Sequence, residues 1–233
     1  MPPTRTTFSV ASMDAAVATS AGTSRRWEAY APWAGIVFVG LFLIGIVIAG
    51  DPGTKHGAKI ADHFAAHRTT ILVGMYLADL GLVAFFVWVW SLRTSLSHAG
   101  EEALAVGVMA AGVLVVAVEF PVIALDTGLA YLSDQHVDPG LARALHDVAQ
   151  VFSYVDWFPT ALLFATLALA VRRTRLVASW LAWTAAAIAV LALIAAPPSL
   201  GLDVPVSLIS FLWIVVVSIT LGLAGSRSPT GAA

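Results

Sequence analysis

Long apolar runs alternate with short polar breaks along the chain. Six runs each approach the ~20 residues that a helix needs to cross ~30 Å of hydrocarbon. They cover 33–50, 70–92, 103–125, 151–171, 177–196 and 205–224. Between them stand Asp51-Pro52-Gly53, Ser97-His98-Ala99-Gly100, Asp138-Pro139-Gly140, Arg172-Arg173-Thr174-Arg175 and Pro197-Pro198. The runs are continuous and lack the period-two alternation of a barrel strand. Continuous runs favour helices, which satisfy their own backbone hydrogen bonds in lipid. The pattern therefore predicts an all-α fold, an integral membrane bundle of six transmembrane helices.

Two of the connections carry helical periodicity of their own. In 55–68, Ile60 and Phe64 share a face with Ile71, while Lys59, Asp62, His63, Ala66 and His67 lie on the other. In 138–154, Leu141, Leu145, Val148 and Phe152 make an apolar stripe behind an Asp138 cap, with Pro139 at the first helical position. Both segments are expected to form short amphipathic helices in the extracytoplasmic loops, the second running on into the fourth span. Residues 1–29, rich in Ala, Ser and Thr, read as a disordered cytoplasmic tail. Residues 30–225 read as the six-helix transmembrane domain, and 226–233 as a short cytoplasmic tail.

Composition agrees with a membrane protein. Hydrophobic residues make up 59% of the chain and charged residues 11%, against about 25% charged in soluble domains. A net charge of −2 leaves no basic surface for nucleic acid. The expected partners are the lipid bilayer and other membrane subunits or a second copy. The chain has no cysteine, which excludes disulfides, thiolate nucleophiles and cysteine metal ligands. With the N-terminus inside, the inner segments hold Arg5, Arg25, Arg26, Arg93, Arg172, Arg173, Arg175 and Arg227. The outer segments hold Lys55, Lys59, Arg68 and Arg143. That bias predicts a multi-pass protein of the plasma membrane with both termini cytoplasmic. Trp27, Tyr30 and Trp33, Trp88 and Trp90, and Trp180 and Trp183 stand near predicted span ends as interface anchors.

Three places together resemble a broad family of uncharacterised bacterial multi-helix integral membrane proteins, a domain-of-unknown-function family. One is the Trp33-Ala34-Gly35 start of a first span that closes on Asp51-Pro52. Another is His67-Arg68 leading into a second span that ends in Ser91-Leu92-Arg93. The third is Arg172-Arg173-Thr174-Arg175-Leu176 followed by Trp180-Leu181-Ala182-Trp183. The resemblance implies an all-helical membrane fold and brings no catalytic or binding residues with it.

The candidate chemistry lies in carboxylates within apolar spans, where a charge costs roughly 2.5–3.5 kcal/mol on insertion scales. Asp79 is nine residues into the second span, ~14 Å deep at ~1.5 Å per residue. Glu119 and Asp126 are two helical turns apart on the third span, and Asp156 is early in the fourth. These four acids are the expected ligand- or proton-binding residues, in the outer half of the membrane. Glu119 stands two residues before Pro121 and has a second reading, that it satisfies backbone groups freed at a proline kink. Asp126 and Asp156 also read as partners of Arg68 or Arg143. His63 and His67, spaced i, i+4, with His146, are candidate ligands for zinc or another divalent metal. Phe64 stands where a hydrolytic zinc motif carries Glu.

Three functions follow. One is binding or transport of a proton, a cation or a small amphiphile at an acidic pocket. Another is a structural or accessory subunit whose acids bind neighbouring helices. The third is a metal-dependent membrane hydrolase using the histidines, with Glu119 as general base.

Overall fold

A computed structural model describes residues 30–225 apart from 136 and 176. The expected tails at 1–29 and 226–233, with Arg5, Arg25, Arg26, Trp27 and Arg227, lie outside the described residues, as do His136 and Leu176. Among the described residues the regular structure is entirely helical. A short 3-10 turn, Ala31–Trp33, opens into α1, Ala34–Ala49. There follow α2 Gly57–Ala66, α3 Arg68–His98, α4 Glu102–Leu132 and α5 Pro139–Val155. The last three are α6 Trp157–Thr174, α7 Trp180–Ala195 and α8 Asp203–Gly225.

Five segments are long and apolar enough to cross a membrane: Ala31–Ala49, Arg68–His98, Glu102–Leu132, Pro139–Thr174 and Asp203–Leu223. The chain is thus a helical membrane protein. The apolar helix α7, at 16 residues, is shorter. At 36 residues, 139–174 is ~54 Å long, well beyond one crossing. It divides at Asp156, where α5 ends and α6 begins. Pro159 explains the break, because it has no N–H for the carbonyl of Val155. The 18 residues of α6 alone make ~27 Å, so α6 by itself has about the length of one crossing.

Packing follows a ring: α1 on α3, α3 on α4, α4 on α6, α6 on α7, α7 on α8, and α8 back on α1. Helices in lipid gain little from hydrophobic association and depend on close contact. The α1–α3 seam shows this. A Cβ added to Gly45 would stand 2.5 Å from the Gly74 carbonyl oxygen and 2.8 Å from the Ala78 nitrogen. Backbone therefore meets backbone there. The five-residue glycine spacing in α1 does not advertise this contact, because the complementary glycine is on another helix. Between α7 and α8, the Trp213 indole N–H donates to the Leu181 carbonyl at 3.1 Å and lies 3.1 Å from Thr184 Oγ1.

The helices α2 and α5 pack on each other at one end of the ring. Ile60 and Phe64 of α2 bury against Ile71, Leu129, Ala130 and Ala142. The Asp138 carboxylate caps α5, accepting from the Gly140 and Leu141 N–H groups at 2.9 and 3.0 Å. The stripe expected along α5 is corrected. Leu141 and Val148 are exposed, whereas Ala142 and Ala149 are buried. Leu145 does pack against the α2 and α4 side chains beside Ala142, so the inward face holds small side chains along with one leucine of the expected stripe.

At the other end of the ring, Arg93 pairs with Glu102 at 3.8 Å and Arg173 with Glu101 at 3.4 Å. Arg93 also covers the Trp90 ring, and Arg172 the Trp183 ring. Arg175, in the left-handed conformation, ends α6 and donates its N–H to the Val171 carbonyl at 3.0 Å.

Candidate ligand site

Two cavities, of about 400 and 210 Å³, lie inside the ring. They share Phe42, Ile46, Glu119, Val122, Gln150 and Ser153 as walls, so they lie side by side. α4 supplies Glu119 to both parts and Asp126, two turns on, to the smaller one. α5 contributes His146 to the smaller part, and the break before α6 brings Asp156 to the larger. The larger part has aromatic residues among aliphatic ones such as Leu43, Ile46, Val204 and Leu208. Phe38, Phe42 and Phe85 line it, with Phe38–Phe42 ring centroids 5.5 Å apart and Phe38–Phe85 4.9 Å apart. Phe164, Phe211 and Trp157 complete that wall.

Glu119 and Asp156 line the same space. One Asp156 oxygen accepts from the Thr160 hydroxyl at 3.1 Å, and the other is buried without a partner. Among the described residues, no Lys or Arg pairs with either acid. This corrects two expectations. Arg68 bonds instead to the Ala130 carbonyl at 3.1 Å and to Asp134 at 3.2 Å, closing the end of α4. Arg143 turns to Asp147, one turn along its own helix, at 3.4 Å. The reading of Glu119 as a patch for the Pro121 kink also gives way, since its carboxyl lines the cavity.

Asp126 meets His146, with Oδ1 and Nδ1 3.9 Å apart and both side chains largely buried. That separation is too long for a direct hydrogen bond, and neither atom has another partner. A proton on the imidazole is drawn toward the carboxylate. This holds the His146 pKa above its ordinary value against the opposing effect of burial.

Asp79 is not part of this arrangement. Ala78 lines the smaller cavity, and Asp79 lies ~100° further round α3, so its half-buried side chain misses both parts. One of its oxygens is buried without a partner. The histidines expected to hold a metal divide as well. The His63 and His67 rings face each other with centroids 4.8 Å apart, and His67 Nδ1 lies 3.1 Å from the His63 carbonyl oxygen. His63 is turned further inward than the helical wheel implied, with Nε2 buried and unpaired. Burial, then the neighbouring His67, push its pKa below the usual imidazole value. His146 faces Asp126 instead. Among the described residues no three His, Asp or Glu side chains form a metal-holding group.

Several lining residues escaped the sequence reading. Ser153 and Trp157 follow His146 and Gln150 at i+7 and i+11 from His146 across the α5–α6 break, a spacing that could have singled them out. Asp203, at the start of α8, also lines the larger cavity, two residues before the sixth apolar run begins at 205. No sequence signal brings together the phenylalanines of α1, α3, α6 and α8. Comparison with protein families, with curated proteins and with solved structures finds no match to this chain.

Proposed function

We propose that this protein crosses the membrane six times and binds a small organic cation in the cavity between Glu119 and Asp156. One observation carries the reading. Glu119 and Asp156, which among the described residues have no cationic partner, line a 400 Å³ space together with seven aromatic side chains, several aliphatic ones and a third acid, Asp203. An acid within a span costs kcal/mol unless it is compensated. An accessory subunit would use such acids to bind helices, but these two point into a void. Carboxylates supply the charge for an ammonium group, and ring faces attract it further, by roughly 0.5–2 kcal/mol per desolvated contact. The volume falls within the roughly 300–1,000 Å³ of small-molecule sites.

The sixth crossing is α7, which packs along α6 and α8 and carries exposed Trp180 and Trp183 at one end. Arg93, Arg172, Arg173 and Arg175 gather at the end opposite α2 and α5. Together with Arg5, Arg25, Arg26 and Arg227 they support a cytoplasmic assignment for that end and for both termini. The cavity then opens on the outer side. Reporter fusions at the C-terminus and beside Gln135 should give cytoplasmic and external signals respectively; the reverse pattern would exchange the two faces.

The binding test uses the full chain in lipid nanodiscs, titrated with tetramethylammonium while its thermal unfolding is followed. A ligand at 100 times its Kd stabilises by about 2.7 kcal/mol. A saturable rise in the midpoint is expected for the natural chain, and its loss in Glu119→Gln and Asp156→Asn. No rise, or an equal rise in all three proteins, refutes the site.

A further inference from the structure

The α1–α8 seam is closed at one end and parted at the other. At the closed end a Cβ on Gly222 would stand 2.6 Å from the Trp33 ring, and one on Gly35 would collide with Ser218 Oγ and the Trp88 indole. Phe211 then bridges to Phe38 and Phe42, with ring centroids 5.8 and 5.9 Å apart. Beyond Phe211, toward the start of α8, the packing partners of α8 change. Val206 buries against Trp157, Ala161, Ala192 and Ala195 of α6 and α7. On the side toward α1, Leu43 and Ile46 and, across from them, Val204, Ser207 and Leu208 line the larger cavity. Val204 and Leu208 are 63% and 54% exposed, so the cavity wall is also an outer wall of the bundle. Leu43 and Ile46 are within two turns of the end of α1, and Leu208 is within two turns of the start of α8. The parting therefore lies in the span, where the medium outside is lipid.

Resting on the cation-binding reading above, we infer that the ligand is a single-chain amphiphile that enters from the bilayer between α1 and α8. Its ammonium head would sit between Glu119 and Asp156. Its chain would leave through the gap bounded by Leu43, Ile46, Val204 and Leu208. An aqueous path alone gives no reason for a wall of branched aliphatics beside two acids. A lipid-side path does, because the chain keeps an apolar environment throughout while only the head exchanges its surroundings.

The natural chain has no cysteine, so Leu43→Cys/Leu208→Cys can be bridged by a reducible bis-maleimide linker without side reaction. Dodecyltrimethylammonium, below its micelle concentration, and tetramethylammonium are each titrated in nanodiscs. Thermal midpoints are read with the linker absent, present and reduced. Bridging is expected to weaken the dodecyl compound at least tenfold relative to tetramethylammonium, and reduction to restore it. Ser207→Trp, which fills the gap from α8 without a linker, should lower the same affinity ratio in the same direction. Undiminished dodecyl binding in both the bridged and the Ser207→Trp proteins, with tetramethylammonium still bound, overturns the lateral route and leaves the cation site standing. A dodecyl response that bridging suppresses, without any tetramethylammonium response, upholds the route and overturns the ammonium-head assignment. No response to either compound overturns both.

Discussion

Placing one methyl group in the α1–α3 seam tests whether backbone contact, rather than general apolarity, holds these helices together. In Gly45→Ala the new Cβ meets the Gly74 carbonyl oxygen at 2.5 Å and the Ala78 nitrogen at 2.8 Å. Both obstacles are main chain, so no rotamer change can relieve them. Restoring ordinary contact near 3.4 Å requires the helices to part locally by about 0.9 Å. Overpacking of this kind costs about 1–3 kcal/mol, and the better helix propensity of alanine returns about 0.5–1 kcal/mol. The net expectation is a loss of about 0–2.5 kcal/mol, and of about 1–3 kcal/mol relative to a substitution that has the propensity gain alone. Gly40→Ala is the matched control, because its Cβ has nothing within 4 Å and only the propensity gain applies. The double change Gly45→Ala/Gly74→Ala should cost less than its parts added, since one separation relieves both contacts. Equilibrium unfolding in mixed detergent, followed by far-ultraviolet circular dichroism, measures all four proteins. If Gly45→Ala is as stable as Gly40→Ala, the seam is not packed as described. The seam also positions Phe42 and Ala78 on the cavity walls, so Gly45→Ala should weaken tetramethylammonium binding as well.

Trp213→Phe removes the donor to Leu181 and the contact with Thr184; a loss of about 0.5–1.5 kcal/mol in the same unfolding assay is expected, and an unchanged midpoint would refute the role of this bond. Two histidines should give stability opposite pH dependences. His146, raised by Asp126, adds stability that is fully present below the ordinary value of 6.5 and is lost as pH rises through its higher folded value. The gap between the natural chain and Asp126→Asn should therefore widen as pH falls, and a constant gap between pH 5 and 8 would show that the pair does not titrate. His63, lowered by burial, resists charging in the folded state, so its contribution is lost as pH falls below 6.5. His63→Gln should flatten the acid side of the thermal profile, and an unaltered acid limb would place His63 in water.

Hydrophobic period and span length need only the local chain, because a helix in lipid closes its hydrogen bonds within itself. The apolar runs at 33–50, 70–92 and 205–224 therefore announced α1, α3 and α8, and Asp138-Pro139 announced the start of α5. Glu119, Asp126 and Asp156 stood out as acids in apolar surroundings before any coordinates; Glu119 lines both cavities, Asp126 the smaller and Asp156 the larger. Their partners could not be read in the same way. Whether Arg68 reaches Asp126 or Asp134 depends on the angle at which two helices cross, and Asp79 differs from Ala78 only by ~100° of rotation about α3. The inner face of α5 took Ala142 with Leu145, and left Leu141 and Val148 exposed, because α2, a segment from another loop, sets which side of α5 is covered. The aromatic wall draws on four helices that are far apart in the chain. Sequence therefore determined which elements form and which residues are costly to bury. Tertiary structure decided which costly residues meet, because helix rotation and crossing depend on close contacts such as Gly45 with Gly74 that neither segment encodes alone.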